Sequence, residues 1–137
     1  MTGLPLRNKE QKIVVGCIVT HTEYVLLLRG SEFLDRASAE ATSYFSIPRF
    51  TLGFGEEPES YVRTQLTRHF AQELEALAVC SVTAKLTTDG VHVLEVLYHA
   101  QVPTMSDARP GRFCFVHRDE LAGYMFPTEL AYIQRFV

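Results

Sequence analysis

The chain has 137 residues, 47% of them apolar and 21% charged, with a formal net charge of -3. That is the length of one domain, 1–137, with enough apolar surface to bury a core, and it excludes a disordered composition. No basic block offers the counterion-releasing contacts of non-specific nucleic-acid binding, and the first apolar run, Ile13 to Val19, is far too short to span a bilayer; a cytoplasmic protein with neither nucleic acid nor membrane as partner is expected.

Lys12 to Thr20 is β-branched and apolar on both faces, and Tyr24 to Arg29 is a second such run after the polar break at His21, Thr22 and Glu23. The pair reads as a buried hairpin. Gly30 to Ser43 is polar and without a clear period, which predicts a loop that can face a ligand. Tyr44 to Phe54 is extended and aromatic, interrupted by Pro48, with phenylalanines at 45, 50 and 54 of which at least two belong in the core.

Gly53, Gly55 and Pro58 punctuate the passage into a helix, and a proline suits the first helical turn, where its missing N–H costs nothing. Val62, Leu66, Phe70, Leu74 and Leu77 recur at helical spacing, so the helix is predicted from Glu59 to about Leu77. Strands follow at Val79 to Leu86 and Val91 to Val102, joined by a turn at Thr88, Asp89 and Gly90. A loop from Pro103 to Gly111 leads to a strand at Arg112 to His117, a short helix begins at Asp119, and Pro127 starts a terminal helix reaching about Phe136. Cys17, Cys80 and Cys114 are odd in number and embedded in apolar runs, which reads as small buried hydrophobes and not as a disulfide or zinc framework. His92, His99 and His117 have no metal-ligand spacing and read as ordinary packed or edge histidines.

The order β-β-loop-β-α-β-β-β-α-α, from Ile13 to Thr20 and Val25-Leu-Leu-Leu-Arg29 through to Phe115-Val-His-Arg-Asp-Glu-Leu121, resembles the Nudix superfamily. The resemblance implies an α/β class, an α/β/α sandwich with a mixed β-sheet and one long central helix. Its specific part is the loop Gly53-Phe-Gly-Glu-Glu-Pro-Glu-Ser60, which is similar to the front of the Nudix box: Gly, five residues, Glu, seven residues, then Arg-Glu-apolar-x-Glu-Glu-x-Gly. Counted forward from Glu56, the Arg-Glu-apolar-x-Glu-Glu positions fall on Thr64, Gln65, Leu66, Thr67, Arg68 and His69. Counted from the expected helix end they fall on Arg68, His69, Phe70, Ala71, Gln72 and Glu73, the register favoured here because it restores the Arg and the last Glu.

On a helix reaching Leu77, Gln65, Arg68, His69, Gln72 and Glu73 form one polar stripe. The resemblance implies magnesium or manganese on that face, orienting a water against a nucleoside diphosphate-linked substrate. Magnesium is a hard cation that wants several oxygen ligands, and here amide, imidazole and guanidinium replace most of the carboxylates, so only weak binding is expected, with Glu73, Glu57 and Glu56 as the metal candidates. Glu73 and Glu56 are the catalytic candidates, and Arg68, His69, Gln72 and Gln65 the ligand-binding ones. His69 and Glu73, one turn apart, supply two donors toward a softer metal such as zinc, too few for a site.

Three readings stand at this point. The first is a binding protein for a nucleotide or related phosphorylated small molecule, with hydrolysis weakened or lost. The second is a divergent pyrophosphohydrolase with a rebuilt metal site. The third is a non-catalytic scaffold or dimerisation protein, favoured if Phe50 and Phe54 fill the pocket; a homodimer is open under all three.

Overall fold

The computed structural model describes residues 11–29, 45–70, 73–87, 90–105 and 113–137. The expected loop at 30–43 and much of that at 103–111 therefore lie outside the described residues. Strand β1 (Gln11–His21) turns at Thr22 and Glu23 into β2 (Tyr24–Arg29), as the two apolar runs and their polar break require. Thr22 takes φ +52 in that two-residue turn, the left-handed conformation that matches strand twist in tight hairpins.

Short strands β3 (Phe45–Ser46) and β4 (Arg49–Thr51) follow, then helix α1 (Pro58–Phe70), β5 (Glu75–Leu86), β6 (His92–Gln101), β7 (Phe113–His117), a 3-10 turn (Arg118–Gly123) and helix α2 (Pro127–Ile133). The described strands form one mixed sheet in the order β3-β2-β1-β6-β5, with β4 beside β1 and β7 beside β2. β1 and β6 run parallel and the other pairs antiparallel. Val15, Cys17, Val19, Phe50, Tyr98 and Ala100 face α1 and pack on its Val62 and Leu66. Ile18, Val25, Leu27, Leu97 and Val116 face the other way, onto Leu121, Met125 and Ile133 of the C-terminal segment. One helix on each face of a mixed sheet is the α/β/α sandwich expected from the sequence.

The helix is shorter than its apolar spacing predicts. α1 is described as far as Phe70, Glu73 and Leu74 are not helical, and by Glu75 the chain already pairs with Gln101 of β6. Leu74 and Leu77 do pack against the α1-side core, but from outside the helix. Apolar residues three or four apart fit a helix face and an irregular strand alike, and the ladder to β6 decides between them. The strand enters through Ala76 at φ +53, and its register shifts between Glu75 and Ala78 and again between Val79 and Ser81 mark β-bulges.

β1 carries glycine opposite Arg49 of β4. A Cβ at Gly16 would lie 3.3 Å from the Arg49 side chain and 3.4 Å from Leu97, so the missing side chain lets Arg49 cross β1 toward β6. There its Nε donates to Glu95 at 2.9 Å, and its Nη1 donates to Glu129 of α2. Arg49 and Glu95 are 7% and 6% exposed, which makes this a buried ion triad tying the sheet to α2. No helix among the described residues is long and apolar enough to cross a membrane.

Candidate functional site

Leu52 leads into a tight turn in which the Glu56 amide donates to the Gly53 carbonyl at 3.2 Å, and Gly55 takes φ +80. Only glycine adopts that backbone without strain. The Glu56 carboxylate folds back over Gly53, where an added Cβ would lie 2.5 Å from Oε1. Phe54, at the tip, is 108% exposed, whereas Phe50 is buried and meets Tyr61 edge-on at 6.5 Å.

Glu57 caps α1. Its carboxylate accepts from the amides of Glu59 at 3.2 Å and Ser60 at 2.7 Å, and its carbonyl accepts the first helical bond from Tyr61. Pro58 then occupies the first helical position, as the sequence predicts. The Ser60 amide above all holds the Glu57 carboxyl below its ordinary value of 4.5. A carboxyl depressed in the folded state stabilises above its unfolded pKa and loses that contribution as pH falls through the folded value. Glu57→Gln should therefore melt below the wild type at pH 7, and the gap should close as pH is lowered below about 4.5. A gap that is constant from pH 7 to pH 3 in thermal melts would remove the capping role.

One face of α1 looks onto an open cleft of about 410 Å3, lined by Glu56, Glu57, Ser60, Tyr61, Thr64, Gln65 and Arg68. From Glu57 onward these residues follow steps of three and four, the spacing that aligns side chains along a helix. Val62 and Leu66, on the opposite face, hold the helix on the sheet. The cleft has two electrical ends. Glu56 and Glu57 stand at the helix N-terminus and Arg68 eleven residues further on, about 16 Å away at the helical rise. That exceeds the screening length of about 8 Å in physiological salt, so an anion held at Arg68 is largely shielded from the two carboxylates. Tyr98, beneath this helix, has its phenol pushed up first by burial and then by Glu57 and Glu59, so the acidic end extends to the sheet.

Of the sequence candidates, Glu56, Glu57, Gln65 and Arg68 are thus brought together. Glu73 is not among the lining residues. It lies exposed beyond the end of α1, so the stripe that joined it to Arg68 and His69 on one helix is corrected, and with it the one-turn spacing of His69 and Glu73. Gln72 lies outside the described residues, as does the side chain of His69. The box register counted from the helix end requires a helix through Glu73, and Glu73 is not helical. The register counted from Glu56 keeps all six positions, Thr64 to His69, within α1 and puts Thr64, Gln65 and Arg68 in the cleft.

Ser60 and Tyr61 were not singled out from the sequence, although stepping back three and four residues from Thr64 reaches both. Glu57 is engaged by the helix amides, Arg68 brings a fixed positive charge, and among the described residues no group of three His, Cys, Asp or Glu converges on one point.

No family model and no curated protein matches the sequence. Solved structures match closely in shape. A NUDIX hydrolase from Nitrosomonas europaea aligns with a TM-score of 0.68 and 13% identity over 93% of this chain and 88% of its own. A MutT NUDIX hydrolase from Burkholderia pseudomallei aligns at 0.70 and 15% identity over 94% of this chain and all of its own, 100%. The E. coli ORF135 protein aligns at 0.69 and 13% identity over 96% and 92%. The similarity is one of fold, and it spans nearly the whole chain.

Proposed function

On the Nudix fold that this chain adopts, we propose that the α1 cleft binds a nucleoside diphosphate-linked or similarly phosphorylated small molecule, in the cytoplasm, and that magnesium-dependent hydrolysis is weakened or lost. The observation that carries this reading is the makeup of the helix face: Thr64, Gln65 and Arg68 line the cleft where a hydrolytic metal centre of this fold needs carboxylates. Arg68 supplies a permanent, forked positive charge that matches phosphate oxygens, and so does without a metal part of what the cation does in a hydrolase. Tyr61 and Thr64 give the cleft a ring edge and a hydroxyl between the two charged ends.

Isothermal titration with nucleoside diphosphates, dinucleotides and nucleoside diphosphate sugars, each with and without magnesium, tests it. Binding that persists in chelator, with no phosphate release above the uncatalysed level, is the expected result. Failure of every member of the panel to bind a folded sample sinks the reading. Magnesium-dependent release that disappears in Glu56→Gln sinks it too, in favour of a working hydrolase centred on the carboxylate that the helix cap leaves uncommitted.

A further inference from the structure

β5 is the outermost strand of the sheet, paired with β6 on one side only among the described residues. It runs twelve residues, and from Val82 to Leu86 every residue is exposed. The ladder to β6 shows which side chains share a face. Val79 lies opposite Tyr98, Val82 opposite Val96 and Ala84 opposite Leu94, and Tyr98 and Val96 belong to the α1-side core. Val79, Val82 and Leu86 are 52%, 58% and 67% exposed, and Ile13, beside Leu94 in β1, continues the strip at 40%. The sheet therefore carries an apolar strip past the reach of α1, ending on a strand edge that is open among the described residues.

Open edges of this length are normally blunted by charge, proline or bulges, because unpaired N–H and C=O groups recruit other strands. β5 has no charge and no proline between its ends, and both of its bulges lie before Ser81, so Ser81 to Leu86 pair with β6 without interruption. Its residues from Ala76 to Ala84 are uncharged, with Glu75 before them and Lys85 after. Read backwards, such an edge complements itself. We infer that β5 is the docking edge for a second copy of this chain, paired antiparallel about a two-fold axis near Ser81, whose partner Leu97 lies midway along β6 between the partners of Glu75 and Lys85. In that arrangement Glu75 of each copy lies opposite the partner subunit's Lys85, and the two apolar strips join into one surface across the axis. An isologous contact of this kind closes on itself as a dimer and leaves no new edge at the axis.

Sedimentation equilibrium on the full chain tests it, with thermal melts as the check on folding. The wild type should be dimeric at about 100 µM. Val82→Lys should raise the dimer dissociation constant at least roughly tenfold by setting two lysines close to the axis. Glu75→Lys and Lys85→Glu should each weaken the dimer roughly three- to tenfold, and the two changes together should return it to within roughly threefold of wild type. All three positions are exposed, so melting temperatures should stay near that of the wild type monomer unit. A wild type that is monomeric at about 100 µM overturns the inference. So does a dimer indifferent to Val82→Lys, or a charge-swapped variant weaker than either single change. None of these outcomes bears on ligand binding at α1.

Discussion

Arg49→Met is expected to cost about 3–5 kcal/mol of folding stability, which is roughly 10–20 °C in melting temperature for a chain of this size. The Arg49 stem passes Gly16 at its Cγ, its guanidinium has both Glu95 and Glu129 as acceptors, and the three side chains are each only 8% exposed. Burial disfavours charge on Arg49, but the Glu129 and Glu95 carboxylates more than offset it and hold the guanidinium protonated. Removing it leaves two carboxylates with no cation between them in a site that water barely reaches. Burial already pushes the Glu129 carboxyl above its ordinary range, with Arg49 pulling the other way, so Glu129 is the group that will take up a proton when Arg49 is gone. A carboxyl with a raised folded pKa contributes stability below its unfolded value of about 4.5 that is lost as pH rises. The penalty of Arg49→Met should therefore be larger at pH 7 than at pH 4. Replacing all three together, Arg49→Met with Glu95→Leu and Glu129→Leu, should recover most of the loss, since an apolar cluster of similar volume substitutes for a buried ion network at little cost. Urea titrations followed by circular dichroism measure all of this, and a single variant within about 1 kcal/mol of wild type would show that the triad is not a structural tie.

Arg68→Ala should weaken phosphate-ligand binding by about 1.5–3 kcal/mol, the range for a hydrogen bond to a charged group, or roughly 10- to 150-fold in affinity. The side chain is exposed at the rim of the cleft and Leu66, two residues earlier, carries the core contact, so the melting temperature should barely move. Arg68→Lys separates charge from geometry. A lysine keeps the positive charge but not the planar fork, and should recover only part of the affinity. The bland alternative is a surface ion pair, worth at most about 1 kcal/mol of stability and nothing in binding. Affinity and melting temperature on the same variants decide, and unchanged affinity removes Arg68 from the site.

Much of this architecture is written in local signals. β1, β2 and β6 announce themselves through runs that are β-branched or apolar, because strands buried on both faces need such side chains. Pro58 marks the start of α1, since its fixed φ suits only the first turn, and Gly53 and Gly55 mark the acidic loop that precedes it. Those signals determined the layer order and the end of the molecule at which the cleft forms. They did not determine where α1 stops. Leu74 and Leu77 satisfy a helical period and also the core beneath an irregular strand, and only the ladder between β5 and β6 chooses. That choice moved Glu73 off the helix and set the cleft on Thr64, Gln65 and Arg68. The buried triad was invisible for a related reason. Arg49 is 46 residues from Glu95 and 80 from Glu129, distances at which no residue period relates one position to another, and the partners meet only because β4 and β6 flank the same glycine of β1. Sequence periodicity reports which face of an element is apolar; which charges share the resulting interior is decided by how the sheet is ordered.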